Sequence, residues 1–491
     1  MRFLILALIL SLATSVLHPV AADTVPSTDS TLHVLHPTLD MPNTGPVYIR
    51  SIEIHGNDVT RLEVLERYIT FDIGQILDTL QFRATRSNLL ATFLYDEIDI
   101  VVVINGDEAH ISIKLKETVR LQIGYGLTYI TRRYGDDKLW FKLSGDVKLE
   151  NFRGRMEEIM FGASVWDYWG VNLGWYKPFL SMPYYITTSA GVAMYPDENL
   201  PLDYIDVYAR ATIGRRLGRR WRLAFGVSPI YRHRMIVESE LDGSLALDLS
   251  QYPESDPAPP PESVGNRPDD GAVFELFTQL SLAADYRSSR FDPQSGWLMS
   301  SSARTNSLYS GDYTPFTQFV NEFRYYQPSL LNGLAVLRLR HTVRNVAADS
   351  YHRLTYGGAG EVRGYGDKYL GAREFSVNSA VLASLKYHQP IWKTPPIPVS
   401  LINLIFSGVD RLTCRIDATF IADYARLFEE PLGAITLDGR WQEGIGLGGG
   451  VRFVVPEIRQ SGCIDVVWGR HEGLDGVTWE PMVHIYLDLF F

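Results

Sequence analysis

The segment Gly357-Gly358-Ala359-Gly360-Glu361-Val362-Arg363-Gly364-Tyr365-Gly366 holds the most distinctive chemistry in the chain. A guanidinium is always charged and presents a planar fork of donors, so Arg363 enclosed in a lumen needs a carboxylate partner. Five glycines between positions 357 and 366 allow tight backbone conformations and close approach to a wall. The plain alternative is a solvent-exposed glycine-rich loop with an unpaired arginine. Phosphate binding is disfavoured, because the segment lacks Gly-x-x-x-x-Gly-Lys-Ser/Thr and no helix follows.

Other residue sets do not assemble a reaction. The 11 histidines are scattered, and His388 and His484 fall in alternating segments where they read as lumen-facing. There is no His/Cys cluster at zinc spacing, no Gly-x-Ser-x-Gly elbow and no carboxylate pair on a helix. Asp488 reads as an inward strand residue. The chain is therefore expected not to be an enzyme and to carry no metal or cofactor. Cys414 and Cys463 match no metal spacing; in an oxidising compartment they either pair or remain two buried or lumen-facing thiols.

What positions the loop is a long chain of 491 residues, more than one core usually needs. Its 46 basic residues against 57 acidic ones leave a formal charge of −11, which argues against a nucleic-acid surface. The 27 Tyr, 22 Phe and 10 Trp occur with 40 Gly. Aromatic girdles at two membrane interfaces, with glycine where strands bend, produce that pairing, and so does a soluble β-sandwich. At the N-terminus Arg2, a short apolar run and Val20-Ala21-Ala22 predict a signal peptide over residues 1–22. No later stretch approaches 18 uncharged apolar residues, so a membrane-spanning form has to be a barrel.

Residues 23–46 are Pro-, Thr- and Asp-rich and read as a flexible linker. Residues 47–118 predict a small α+β unit of order β-α-α-β-β. It starts with the strand Val47-Tyr48-Ile49-Arg50-Ser51-Ile52-Glu53-Ile54 and continues with a helix capped by Thr60, with Glu63 at the capping-box position. A second helix over residues 79–92 and two strands, 98–104 and 109–115, complete it. From Val119 onward no helical period persists. Sixteen alternating segments of about 10–15 residues predict an antiparallel transmembrane β-barrel over 119–491. The first segment is 119–131 and the last 479–491, where Val483, Ile485, Leu487, Leu489 and Phe491 share one apolar face. The acidic, Pro-rich residues 237–271 join the seventh and eighth segments and are expected outside the cell, with long loops on that rim and short turns on the other.

The front unit resembles a POTRA domain, with residues 47–56 as its first strand and 111–117 in its last. Residues 119–491 resemble the BamA/TamA outer-membrane insertase superfamily, of the bacterial surface antigen type. Glu150-Asn151-Phe152-Arg153-Gly154-Arg155 is similar to its Asn-x-x-Gly-Arg turn. Asp285-Tyr286-Arg287, with Phe291-Asp292-Pro293 and Gly296-Trp297, resembles its Asp-x-Arg…Pro-x-x-Gly turn. Val362-Arg363-Gly364-Tyr365 matches the core of its loop-six signature. Phe420-Ile421-Ala422-Asp423 resembles its Phe-x-Asp strand, with one extra residue or with an aromatic replaced by Ile421; Ala425 stands where glycine is usual.

The resemblance implies that Arg363 folds back into the lumen and meets Asp423, with Asp285 and Glu361 as the other acidic candidates. It implies a protein-assembly, insertion or translocation factor of the outer membrane with its POTRA-like domain in the periplasm. The first and last strands form a lateral seam, to which Gly124, Gly126, Leu489 and Phe491 are assigned. Glycines there weaken pairing or simply bend the strand. Expected partners are outer-membrane lipids, unfolded outer-membrane or secreted polypeptide clients and accessory periplasmic proteins, with no nucleic acid. A dedicated secretion channel or a passive pore is the alternative, and a surface scaffold a third reading.

Overall fold

The computed structural model describes residues 46–487 apart from 91, 93, 132–138, 167, 180–182, 197–201, 219, 237–270, 290, 310–314, 330–331, 347–353, 355, 359, 366–369, 371–376, 399–410, 459 and 474–475. The expected signal peptide, nearly all of the linker, the acidic loop, Leu489 and Phe491 lie outside the described residues. Everything below belongs to one unit, Tyr48–Phe491.

Strand β1 (Tyr48–His55) opens the front unit, which closes with β2 (Tyr95–Asn105) and β3 (Glu108–Glu117) in the order β1-β3-β2. Alternation in β3 turns Ala109, Ile111, Ile113 and Leu115 to a buried face. The parallel β1–β3 pair requires a crossover, supplied by the helix Leu62–Leu65, a 3₁₀ turn at Glu66–Tyr68 and the helix Thr79–Leu90. Val64, Leu65, Phe71 and Leu89 fill the space against the sheet.

Thr60 is not the helix cap that its sequence position suggests. The N-cap is Arg61, with no side-chain cap bond, and the first helix is a single turn. Thr60 is used elsewhere: its N–H donates to Glu117 Oε1 at 2.8 Å, its hydroxyl also donates to that oxygen, and Val59 N–H donates to Glu117 Oε2 at 3.1 Å. The turn at 151–155 then docks on this corner. Asn151 Nδ2 donates to Thr60 Oγ1 at 2.7 Å in a buried position, and Arg61 N–H donates to Gly154 O at 3.0 Å. Gly154 has φ +69, and a Cβ there would lie 2.1 Å from Val59 O. Asn151, Arg153 and Met156 also hold positive φ, so the turn keeps a strained shape that the front unit's contacts help to fix.

Sixteen antiparallel strands follow in ring order. They are β4 (Leu121–Thr131), β5 (Leu139–Phe152), β6 (Glu157–Trp166), β7 (Trp169–Pro178), β8 (Tyr184–Pro196), β9 (Leu202–Leu217), β10 (Trp221–Ile236) and β11 (Gly271–Asp285). The ring continues with β12 (Gly296–Tyr309), β13 (Thr317–Pro328), β14 (Leu334–Arg344), β15 (Ser379–Lys393), β18 (Arg415–Phe428), β19 (Trp441–Val455), β20 (Gln460–Gly473) and β21 (Gly476–Leu487). A two-residue ribbon, β16 (Ile397–Pro398) with β17 (Arg411–Leu412), lies between β15 and β18. That connection runs from residue 394 to 414 on the front-unit rim, so the expectation of short turns on that rim fails there.

Period-two alternation sets the two faces. In β18, Asp417, Thr419, Ile421, Asp423, Ala425 and Leu427 are buried while Phe420 is 61 % exposed. In β21, Val483 and Ile485 are exposed and His484 is buried. Trp166, Trp169, Trp175, Trp441, Trp468 and Trp479 are all exposed, an apolar and aromatic outer surface suited to lipid rather than water. Among the described residues no helix is long and apolar enough to cross a membrane. Cys414 and Cys463 are both free thiols.

The front-unit clasp predicts a separable defect. Asn151→Ala removes a buried hydrogen bond worth about 1–3 kcal/mol, and Gly154→Val adds a side chain that the corner cannot hold. Limited proteolysis should cut the chain between the front unit and the barrel faster in both variants, while heat-modifiable gel mobility keeps the barrel signature.

Candidate functional site

The ring places the glycine-rich segment on the connection between its eleventh and twelfth strands, β14 and β15. The segment enters the lumen. Tyr356 and Leu370 exchange backbone hydrogen bonds of 2.8 and 2.7 Å, and Leu354 N–H donates to Val377 O at 3.2 Å, making a narrow returning ribbon. Tyr356, Val362, Tyr365, Leu370 and Val377 of the segment pack with Ala380, Leu382, Ala425 and Leu427 of the wall. Val362 is fully buried.

At the tip Arg363 meets Asp423. Arg363 Nε donates to Asp423 Oδ2 at 2.8 Å and Nη2 donates to Oδ1 at 2.7 Å, a bidentate fork. Arg363 backbone N–H adds a third bond to Oδ2 at 2.8 Å. Ser384 on β15 closes the arrangement, accepting from Arg363 Nη2 at 2.7 Å and donating to Asp423 Oδ1 at 2.6 Å. The two side chains are 7 % and 0 % exposed. An isolated buried charge is costly, but here both charges are paired and the carboxylate oxygens are saturated with donors.

The other acidic candidates pair with local arginines. Asp285 receives Arg287 Nε and Nη2 at 3.0 and 2.9 Å, two residues along the same turn. Glu361 accepts from Arg340 Nη1 at 3.0 Å, and Arg338 donates to Gly360 O while pairing with Glu322 at 2.9 Å. Glu361 therefore holds the flank of the loop against β14. In the Phe420–Asp423 stretch, Phe420 faces outward and Ile421 shares the inward face with Asp423. Alternation thus favours an aromatic replaced by Ile421 over an inserted residue.

Several residues of the site carried no signal in the motif itself. Tyr365 hydroxyl donates to Arg470 O at 2.5 Å and accepts from Ile445 N–H at 3.0 Å, bridging β20 and β19. A Cβ at Gly446 would lie 1.8 Å from Arg363 O, one at Gly469 1.9 Å from Gly364 O, and one at Gly444 2.4 Å from Leu370. Gly364 itself has φ +99 against the Gly469 backbone. The wall is glycine where the loop backbone touches it. The signal was present in the sequence: Gly444, Gly446, Gly448 and Gly450 recur every second residue on the inward face of β19. Ser384, Arg338 and Arg340 had no such mark.

The seam assignments fall differently. Gly124 and Gly126 lie in β4, paired along its length with β5. Across the ring, β4 meets β21 only as Leu127 with Ile485 and Gly126 with Tyr486 among the described residues. Gly124 has no described partner on β21.

Residues 151–404, more than half of the chain, match the Omp85 superfamily domain. The chain belongs to the Omp85 superfamily. As a member it is an outer-membrane β-barrel protein. A search of curated proteins finds no match. Among solved structures it is similar to BamA from Haemophilus ducreyi lacking POTRA domains 1–3, with 15 % identity, TM-score 0.54 and coverage of 90 % of this chain and 84 % of that one. It is similar to CdiB from Escherichia coli at 11 % identity and TM-score 0.57, covering 90 % and 76 %. CdiB from Acinetobacter baumannii matches at 12 % identity and TM-score 0.52, covering 90 % and 74 %. At these identities the likeness is one of fold.

Two substitutions on opposite sides of the contact should undock the Omp85 loop alike. Arg363→Ala leaves Asp423 charged and buried, a loss of about 3–5 kcal/mol in loop docking, and Gly446→Val forces the backbone apart. In both variants, a thiol placed at Gly360 by Gly360→Cys, with both native cysteines replaced by serine, should react with maleimide faster than in the parent.

Proposed function

We propose that this Omp85 protein inserts polypeptide strands into the outer membrane, using the junction of β4 and β21 as the place where clients pair. The observation that carries the reading is that, among the described residues, β4 and β21 pair only as Leu127 with Ile485 and Gly126 with Tyr486, with no pair between residues 128–131 and 481–484, where neighbouring strands pair along most of their length. A strand edge in hydrocarbon leaves N–H and C=O groups unsatisfied at several kcal/mol each, so an under-paired seam is the cheapest place for the ring to part. A client strand that adds to either edge restores those hydrogen bonds while it enters lipid. The wall leading up to β21 is suited to stay fixed, since the loop ties β14, β15, β18, β19 and β20 together inside the lumen.

The front unit takes the part of a periplasmic POTRA domain in this reading. Its β1 edge is occupied by Gly74 and Gln75, whose backbones bond Ile49 at 2.7 and 2.9 Å. Its β2 edge carries the exposed Val101 and Val103. Clients are unfolded polypeptides, with lipid and accessory periplasmic proteins as further partners. The protein performs no covalent chemistry on them.

Locking the seam tests the proposal. Gly126→Cys with Tyr486→Cys, in a Cys414→Ser, Cys463→Ser background, places two thiols at a paired register position. Reconstituted protein should assemble a reporter barrel when reduced and lose that activity when oxidised. Equal assembly in both states would sink the insertion reading, and continued export of a soluble client through the locked ring would favour a secretion channel.

A further inference from the structure

The connection between β11 and β12, residues 286–295, does more than turn the chain. Its base is braced by a stack of Tyr286 on Trp297, with centroids 4.3 Å apart and planes at 14°, and by Ser288 N–H donating to Ser295 O at 2.9 Å. Ser288 Oγ accepts from the N–H groups of Gln294 and Ser295 at 3.0 and 3.2 Å, which holds the tip in one shape. From that tip Asp292 reaches residues on β18 and β19. Arg415 Nη1 and Nη2 donate to Asp292 Oδ2 and Oδ1 at 2.8 and 3.2 Å, and Arg452 Nη1 donates to Oδ1 at 3.0 Å. Arg415 also grips Asp417 through Nε at 2.8 Å and Nη2 at 3.1 Å, and Arg452 stands 3.7 Å from Asp417.

Position in the ring gives this contact its meaning. Three strands, β13, β14 and β15, separate β12 from β18, so the carboxylate bridges four inter-strand steps, about 19 Å of wall. Arg415 and Asp417 share the inward face of β18 with Asp423, and Arg452 shares the inward face of β19 with Gly446. Asp292 therefore arrives inside the mouth, on the rim that carries the front unit, and does not pass around the outside. Burial opposes its charge, but Arg452 and Arg415 outweigh burial and hold its carboxyl below the usual range. Asp417 is 1 % exposed and Arg452 6 %.

We propose that residues 286–289 and 291–295 of this connection act as a strap that closes part of the lumen's inner mouth, latched by Asp292 onto Arg415 and Arg452. The loop bearing Arg363 enters from the opposite rim and latches onto Asp423, four inward positions along the same strand from Arg415. One strand, β18, thus receives a latch from each end of the barrel. The strap opens when Asp292 leaves the two guanidiniums, which an acidic stretch of a passing polypeptide can displace by competing for them. The inference rests on the ring and its lumen, not on what the client is, so it stands or falls apart from the insertion reading.

Single-channel recording in planar bilayers tests it with the full chain. Asp292→Asn keeps the side chain's shape and removes its charge, and should raise the conductance or the frequency of large openings. A second variant guards against a folding artefact: Asp292→Cys with Arg415→Cys, the two native cysteines replaced by serine, joined by a short reducible bis-methanethiosulfonate linker. Conductance should be low when linked and rise when the linker is reduced in the same bilayer. A conductance in Asp292→Asn equal to the parent's, or no change on reducing the linked variant, overturns the strap.

Discussion

A buried ion pair that is fully satisfied holds this barrel's interior in one arrangement. Arg363 and Asp423 lie 60 residues apart, and each would be costly alone in a lumen closed by protein. They are stable together because the fork is bidentate, the Arg363 N–H adds a bond and Ser384 donates to one carboxylate oxygen while accepting from the guanidinium. Such a pair is a discriminating device more than a source of raw stability. A loop displaced by one residue loses three charge-assisted bonds at once and leaves a carboxylate in a dry site.

The glycines follow from that pair. For Arg363 to reach Asp423, its carbonyl must pass against β19 and that of Gly364 against β20, closer than any Cβ permits. Gly446 and Gly469 are therefore as much a part of the latch as the arginine. Tyr365 then fixes the distance between β19 and β20 by bonding a backbone group on each. The strands from β14 to β20 are tied through the lumen, whereas among the described residues β4 and β21 share two residue pairs.

The front unit is joined to this ring with the same economy of polar groups. Glu117, the last residue of β3, accepts from Val59 and Thr60, and Thr60 in turn accepts from Asn151 of the first barrel turn on that rim. A single carboxylate thus orders the corner on which the barrel's positive-φ turn sits. Thr60 looked like a helix cap because Thr followed by Glu63 is the pattern of one. The residue is instead drawn into a tertiary contact that a local pattern does not contain.

By itself the sequence determined the period-two alternation of the strands, the order of the small α+β unit and the loop with Arg363 among glycines. Those are local properties: a strand shows its two faces within a few residues, and a φ above zero favours glycine wherever it occurs. Asp423's inward position was readable in the same way, and the family resemblance pointed Arg363 towards it, but the bare residues left Asp285 and Glu361 eligible. Only the tertiary structure assigned them, Asp285 to Arg287 and Glu361 to Arg340, because choosing among carboxylates depends on which strands the ring brings within hydrogen-bond reach. The same holds for Asp292 across the inner mouth and for Asn151 on the front unit. Charges and hydrogen bonds act over a few ångströms of space, and distance along the chain does not record them.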